Sequence, residues 1–217
     1  MSVWIRSSAL ASVALLSVVL LTVAAIATIW QVWHSRRTSP MKSPPLVDRR
    51  GVVLDAEMRE RLLEVIFEAA RHDDVATIDE YLKEGFSPNV RSPRGDTLLT
   101  VAAYYDSLGV VERLLAAPAI DIEARNRMGL TAVSGAAFKG NERALRRLID
   151  AGADVNAGNS MQQTALMFAS LTGRSRTVQM LLDAGARRDR VDAMGRSPES
   201  LASIQGADDV VSLLEKR

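Results

Sequence analysis

Pairs of small apolar residues punctuate the chain at a near-constant interval. Ala69-Ala70 returns as Ala102-Ala103, Ala136-Ala137, Ala169-Ser170 and Ala202-Ser203, at steps of 33, 34, 33 and 33 residues. Larger apolar pairs keep the same register: Leu114-Leu115, Leu148-Ile149 and Leu181-Leu182, with Leu214 closing the series. Polar and flexible residues fall between them just as regularly. Thr97, Thr131, Thr164 and Ser197 precede each doublet. Gly95, Gly129 and Gly195 precede those hydroxyls, with Gln162 in the third place. Asp106, Gly140, Gly173 and Gly206 follow. A strict period of this length marks a solenoid, in which one supersecondary unit cannot bury its apolar face alone and stacks on its neighbours.

Each block predicts two antiparallel helices. A Thr or Ser ahead of an apolar run accepts a hydrogen bond from first-turn N–H groups that a helix leaves free. Pro198 stands directly after Ser197, where a missing N–H costs nothing. The Ala pair gives the first helix a small face for close approach. Gly140 and Gly173 suit the left-handed end of that helix, and Gly152 and Gly185 that of the second.

These segments resemble the ankyrin family. Gly95-Asp96-Thr97-Leu98-Leu99, Gly129-Leu130-Thr131-Ala132 and Gln163-Thr164-Ala165-Leu166 look like its Gly-x-Thr-Pro-Leu motif. Leu148 to Ala157 and Leu181 to Ala186 look like its repeat ending. Four departures from the pattern matter. The usual His is replaced by Thr100, Ser134, Met167 and Ser200, so its hydrogen bonds must be made otherwise. Pro is kept only at Pro198. Ala116 to Ile120 carries an extra residue, and Gln162 stands where the turn Gly belongs.

The fold expected is all-α: an ankyrin-repeat solenoid of about five helix-turn-helix units with β-hairpin-like loops, preceded by an N-terminal transmembrane helix. The units fall at 52–90 (a cap without a Gly-x-Thr start), 91–124, 125–157, 158–190 and 191–217, where a polar end suits a terminal repeat. Residues 1–33 form the membrane segment and 34–51 a Pro-rich basic linker.

From Ser7 to Trp33 no residue is charged. Roughly 20 residues span a bilayer core as a helix. Trp4, Trp30 and Trp33 flank the run, where amphipathic rings favour the headgroup zone. Ala25-Ile26-Ala27 has the form of a signal peptidase site, yet the apolar run outlasts a usual signal core and continues past it. The reading favoured is an uncleaved anchor placing residues 7–33 in the lipid, in a single-pass protein of a bacterial inner membrane. Arg36, Arg37, Lys42, Arg49 and Arg50 follow the span and only Arg6 precedes it, which puts the repeats in the cytoplasm by the positive-inside rule. A periplasmic location is the alternative, since some bacterial ankyrin proteins face that side. Pro40, Pro44 and Pro45 keep the linker extended.

Charge changes this picture little. The 27 basic and 26 acidic residues sum to +1, and nothing points to nucleic acid. With two His and no Cys, no metal cluster, phosphate loop or Ser-His-Asp set is visible. No catalytic residue, metal or cofactor is expected, and His72 beside Asp73 and Asp74 reads as a helix-end surface His. The chain is read as a monomeric binding protein, not an enzyme.

In ankyrin-like stacks the hairpin tips and inner helix ends form a concave binding face. By register, the inner-helix ends carry Tyr104, Tyr105, Phe138, Lys139 and Leu171, with Arg71-His72, Thr172 and Ile204-Gln205 in matching places. The tips carry Arg94, Arg127, Met128 and Met161, with Met194 one period on and Arg91 and Arg125 adding positive charge. Tyr supplies area and a hydrogen bond at low entropy cost, and thioethers suit adaptable surfaces. Two functions use this face: a membrane-tethered module binding a protein partner, or an exported protective or inhibitory binder of immunity or enzyme-stabilising type.

Overall fold

The computed structural model describes residues 46–48 and 51–215. The anchor expected at 7–33 and the linker as far as Pro45 lie outside them. Among the described residues no helix is long and apolar enough to cross a membrane.

Ten helices, paired in chain order, make up the described body: α1 Ala56–Arg71 with α2 Val75–Lys83, α3 Leu98–Tyr105 with α4 Leu108–Leu115, α5 Ala132–Lys139 with α6 Glu142–Asp150, α7 Ala165–Leu171 with α8 Ser175–Asp183, and α9 Pro198–Gln205 with α10 Asp208–Glu215. The odd-numbered helices stack in one layer and the even-numbered helices in a second. A single apolar core runs between the layers, from Leu63 and Ile66 through Leu114 and Leu148 to Leu181 and Val210.

The doublets explain the spacing of the inner layer. Ala102, Ala103, Ala136, Ala137 and Ala169 are fully buried. Gly135 completes the small face of α5: a Cβ there would stand 3.6 Å from the Thr100 carbonyl oxygen and 3.7 Å from Tyr104 Cβ. Ser203, on the last inner helix among the described residues, is exposed. Ser170 differs from its Ala counterparts in carrying a buried hydroxyl that finds no hydrogen-bond partner among the described residues. An unpaired buried polar group costs about 1–3 kcal/mol. Ser170→Ala is therefore expected to raise stability by about 1 kcal/mol in chemical denaturation. A lower midpoint would show that the hydroxyl has a native role.

The hydroxyl caps form as the pattern predicts. Thr97, Thr131, Thr164 and Ser197 accept from the backbone N–H of Thr100, Ser134, Met167 and Ser200 at 3.1, 3.4, 3.4 and 3.1 Å. The residues in place of the family's His make other bonds. Thr100 pairs hydroxyl to hydroxyl with Thr97 at 2.8 Å, Ser134 does so with Thr131 at 3.3 Å, and Ser200 donates to the Ser197 carbonyl at 2.9 Å. Met167 fills the same space as a fully buried apolar side chain.

Every tip is the same turn. The N–H groups of Ser92, Asn126, Asn159 and Asp192 donate to the carbonyls of Asp96, Leu130, Gln163 and Arg196 at 2.9–3.0 Å. The side chains of those four residues accept from the N–H groups two and four residues on. Burial pushes the Asp192 carboxyl up, but hydrogen bonds from Arg196 and Met194 outweigh it and hold the group below its ordinary value.

Gln162 keeps the turn although it is not Gly. Its φ is +60°, against +85°, +75° and +74° at Gly95, Gly129 and Gly195. Ala119, at φ +62°, likewise absorbs the extra residue of its repeat. A left-handed L-residue costs roughly 1–2 kcal/mol, and Gly gives back part of that in unfolded-state entropy. Gln162→Gly is accordingly expected to stabilise the fold by about 0.5–1 kcal/mol in urea unfolding. An unchanged or lower midpoint would mean that the side chain offsets the strain.

Successive units are also laced together by polar bonds. Asp79, Glu112 and Glu142 on one outer helix pair with Arg113, Arg147 and Arg176 on the next, at 2.7–2.8 Å. Such surface pairs contribute about 0–1 kcal/mol each. Asn89 bridges to the Ala119 carbonyl and the Asp121 N–H, and Asn156 to the Gly185 carbonyl and the Arg187 N–H.

The first unit carries a tip that its sequence did not announce. Val47 and Val53 form a bridge, and Asp48 accepts from the Val52 N–H at 2.9 Å, as the later tip residues do. Leu46 is buried against the core. Part of the segment read as linker therefore belongs to the folded body, and α1, at 16 residues, is twice as long as α3 or α5.

Candidate protein-binding surface

The ends of the inner helices bring four rings together. Tyr105 closes α3 with Tyr104 beside it, their ring centroids 5.3 Å apart in an edge contact. Phe138, near the end of α5, stacks on Tyr104 at 6.4 Å with 13° between the planes. Phe168 on α7 meets Phe138 edge-on at 6.3 Å. The Lys139 ammonium lies 5.2 Å from the Tyr104 ring centroid, within cation–π range. Three successive repeats thus contribute to one aromatic row.

This row is open to solvent although its members touch. Tyr105 is 53% exposed and Phe138 39%. Tyr104 and Phe168 are half-buried. Burial first, and the neighbouring Tyr105 second, raise the Tyr104 phenol above its ordinary value. Its hydroxyl thus stays neutral near pH 7 and is able both to donate and to accept. Exposed rings with a neutral phenol offer a partner apolar area and a directional hydrogen bond in one place.

Tyr104, Tyr105, Phe138 and Lys139 converge as their register suggests. Leu171, half-buried at the end of α7, is not the third repeat's aromatic contribution. Phe168 takes that part from one turn earlier. Its signal was helical spacing: three residues before Leu171, it lies on nearly the same side of α7. Ile204, 60% exposed, extends the row of exposed apolar residues on α9.

The tips form a second row. Arg94 and Arg127 are exposed, Met128 is half-buried, and Met161 and Met194 are 43% and 66% exposed. The Met N–H groups serve the turn, whereas their side chains are not asked to. Arg127 lies over the neighbouring tip, where a Cβ on Gly95 would run into its Cγ. Arg91 and Arg125 have structural work: each guanidinium donates to a carbonyl of its own tip and to one of the next repeat, Arg91 to Gly95 and Arg125, Arg125 to Gly129 and Gly158. Of the four arginines at the tips of the second and third units, Arg94 and Arg127 are the ones not committed to backbone carbonyls among the described residues. His72 caps the end of α1 with Nδ1 3.0 Å from the Glu68 carbonyl, while Asp73 accepts from the Val110 N–H and Asp74 caps α2.

Two helix layers with an exposed aromatic row along one of them define a repeat scaffold that presents a surface rather than a pocket. Comparison with known families agrees. The family model of ankyrin repeats (3 copies) matches residues 66–159 and 133–217, and the chain belongs to the ankyrin repeat family. It is similar to the ankyrin repeat domain-containing protein SAT10 of Stachybotrys chartarum, with 36% identity over 102 residues. That match takes in 47% of this chain and 5% of the relative's length. As an ankyrin repeat protein, the chain is a protein–protein interaction module.

Proposed function

We propose that this chain is a membrane-tethered ankyrin module that holds a protein partner on the aromatic row of its inner helices. The row of Tyr104, Tyr105, Phe138 and Phe168 carries the reading. None of these four rings belongs to the buried core, so the exposure of Tyr105 and Phe138 calls for another cause. Arg94, Arg127, Met128 and Met161 widen the surface over the tips.

The tether rests on the charge-free stretch from Ser7 to Trp33, and its side on the basic residues that follow. Those charges favour a cytoplasmic repeat domain at an inner membrane. The Ala25-Ile26-Ala27 motif supports the competing reading of an exported protective or inhibitory binder. Alkaline carbonate extraction of membranes separates the two. The full-length protein is expected in the pellet with its first residues intact. A soluble protein whose N-terminus begins at Thr28 would replace the tether by the exported binder.

A further inference from the structure

We propose that the outer helix layer bears a second docking groove, suited to an acidic protein segment carrying an apolar side chain between its carboxylates. The groove lies over α6, bounded by the start of α4 and by α8, with a cavity volume of about 280 Å³. It belongs to the layer behind the inner helices, apart from the aromatic row.

Its walls are cationic and its apolar residues half-covered. Arg143 and Arg146 project from one face of α6, both exposed, and neither makes an ion pair among the described residues. Glu142, Arg147 and Arg176 complete the lining; the Glu142 carboxylate is taken up by Arg176 at 2.8 Å, and Arg147 pairs with Glu112 at 2.7 Å. Those two guanidinium groups have carboxylate partners of their own, and the other two keep their donors for an incoming anion. Arg presents a planar fork that matches a carboxylate two bonds at a time. Leu108 and Met180, both half-buried, supply the apolar part of the lining.

The fold does not require this arrangement. The core role of α6 is met by Ala144, Leu145 and Leu148, all fully buried. Inorganic phosphate would leave Leu108 and Met180 unused, and a bilayer surface is too flat to enter a recess. An acidic segment with an apolar side chain uses both parts of the lining, and charge complementarity would speed its encounter.

The test uses the full-length protein in an uncharged detergent. The probe is a fluorescein-labelled peptide of about ten residues with a central Leu flanked by Glu, followed by anisotropy. Binding is expected, weakening as salt rises. Arg143→Gln with Arg146→Gln should reduce it roughly ten-fold or more with the thermal midpoint unchanged. Tyr105→Ala with Phe138→Ala should leave it intact, which separates this groove from the inner-helix surface. The proposal falls if the peptide does not bind, if its Gln-for-Glu analogue binds equally, or if the Arg variant binds as wild type. It falls also if phosphatidylglycerol vesicles or inorganic phosphate displace the peptide. Self-association lost in the Arg variant would overturn it too, making the occupant a second copy, whose α1 exposes Glu60, Glu64 and Val65.

Discussion

Ala136→Leu is expected to lower the thermal midpoint by several degrees, read by circular dichroism. Ala136 is fully buried in α5, which is packed on one side by α3 and on the other by α7. The approach is close because both helices present small residues. At Gly135 an added Cβ would already be in ordinary contact with α3. Three further carbons at the next position have no void to enter and must push the inner helices apart. Overpacking of this kind typically costs about 1–3 kcal/mol, roughly 2–4 °C per kcal/mol for a domain of this size. The strain would be felt in two units at once, since α5 is shared by both interfaces. A wild-type midpoint would remove Ala136 from the stacking surface.

Tyr105→Ala combined with Phe138→Ala is expected to weaken the partner captured by the full-length protein by roughly 2 kcal/mol or more, about 30-fold in Kd. The measurement is a titration of that partner against wild type and variant. Both rings touch Tyr104, so the double variant also forfeits ring contacts of about 0.5–1.5 kcal/mol each. The loss of stability should stay near that size because neither ring lies in the core between the layers. A collapse of the fold would make them packing residues. Unchanged affinity together with unchanged stability would move the partner to another surface.

The period was legible because stacking demands the same small, apolar or hydroxyl side chain at the same place in each unit. Thr97 and Gly140 answer needs internal to one repeat, Ala102 answers the close approach that recurs at every seam, and such needs repeat with the unit. What escaped the sequence depends on reach between units. Phe168 reaches Phe138 from a different turn than register suggests, so counting from the doublet selected Leu171 instead. Arg91 and Arg125 look like solvated charges until the next repeat's carbonyls are set beside them. The turn at Asp48 was hidden because α1 is long, and its cap, Asp55, falls four residues after Gly51 where Thr97 falls two after Gly95.

The lacing of units has a consequence for how such a chain can change over generations. Asn141 binds the carbonyls of Ala103 and Tyr104, Ser107 binds that of Arg71, and outer ion pairs likewise join the first four units in succession. A unit therefore carries its own half of each seam, with complementary donors and acceptors on its two edges. A tandem duplication of one coding segment inserts a unit whose edges already match those on either side. The array can lengthen or shorten by whole units while the curvature and chemistry of its face are reset a stripe at a time.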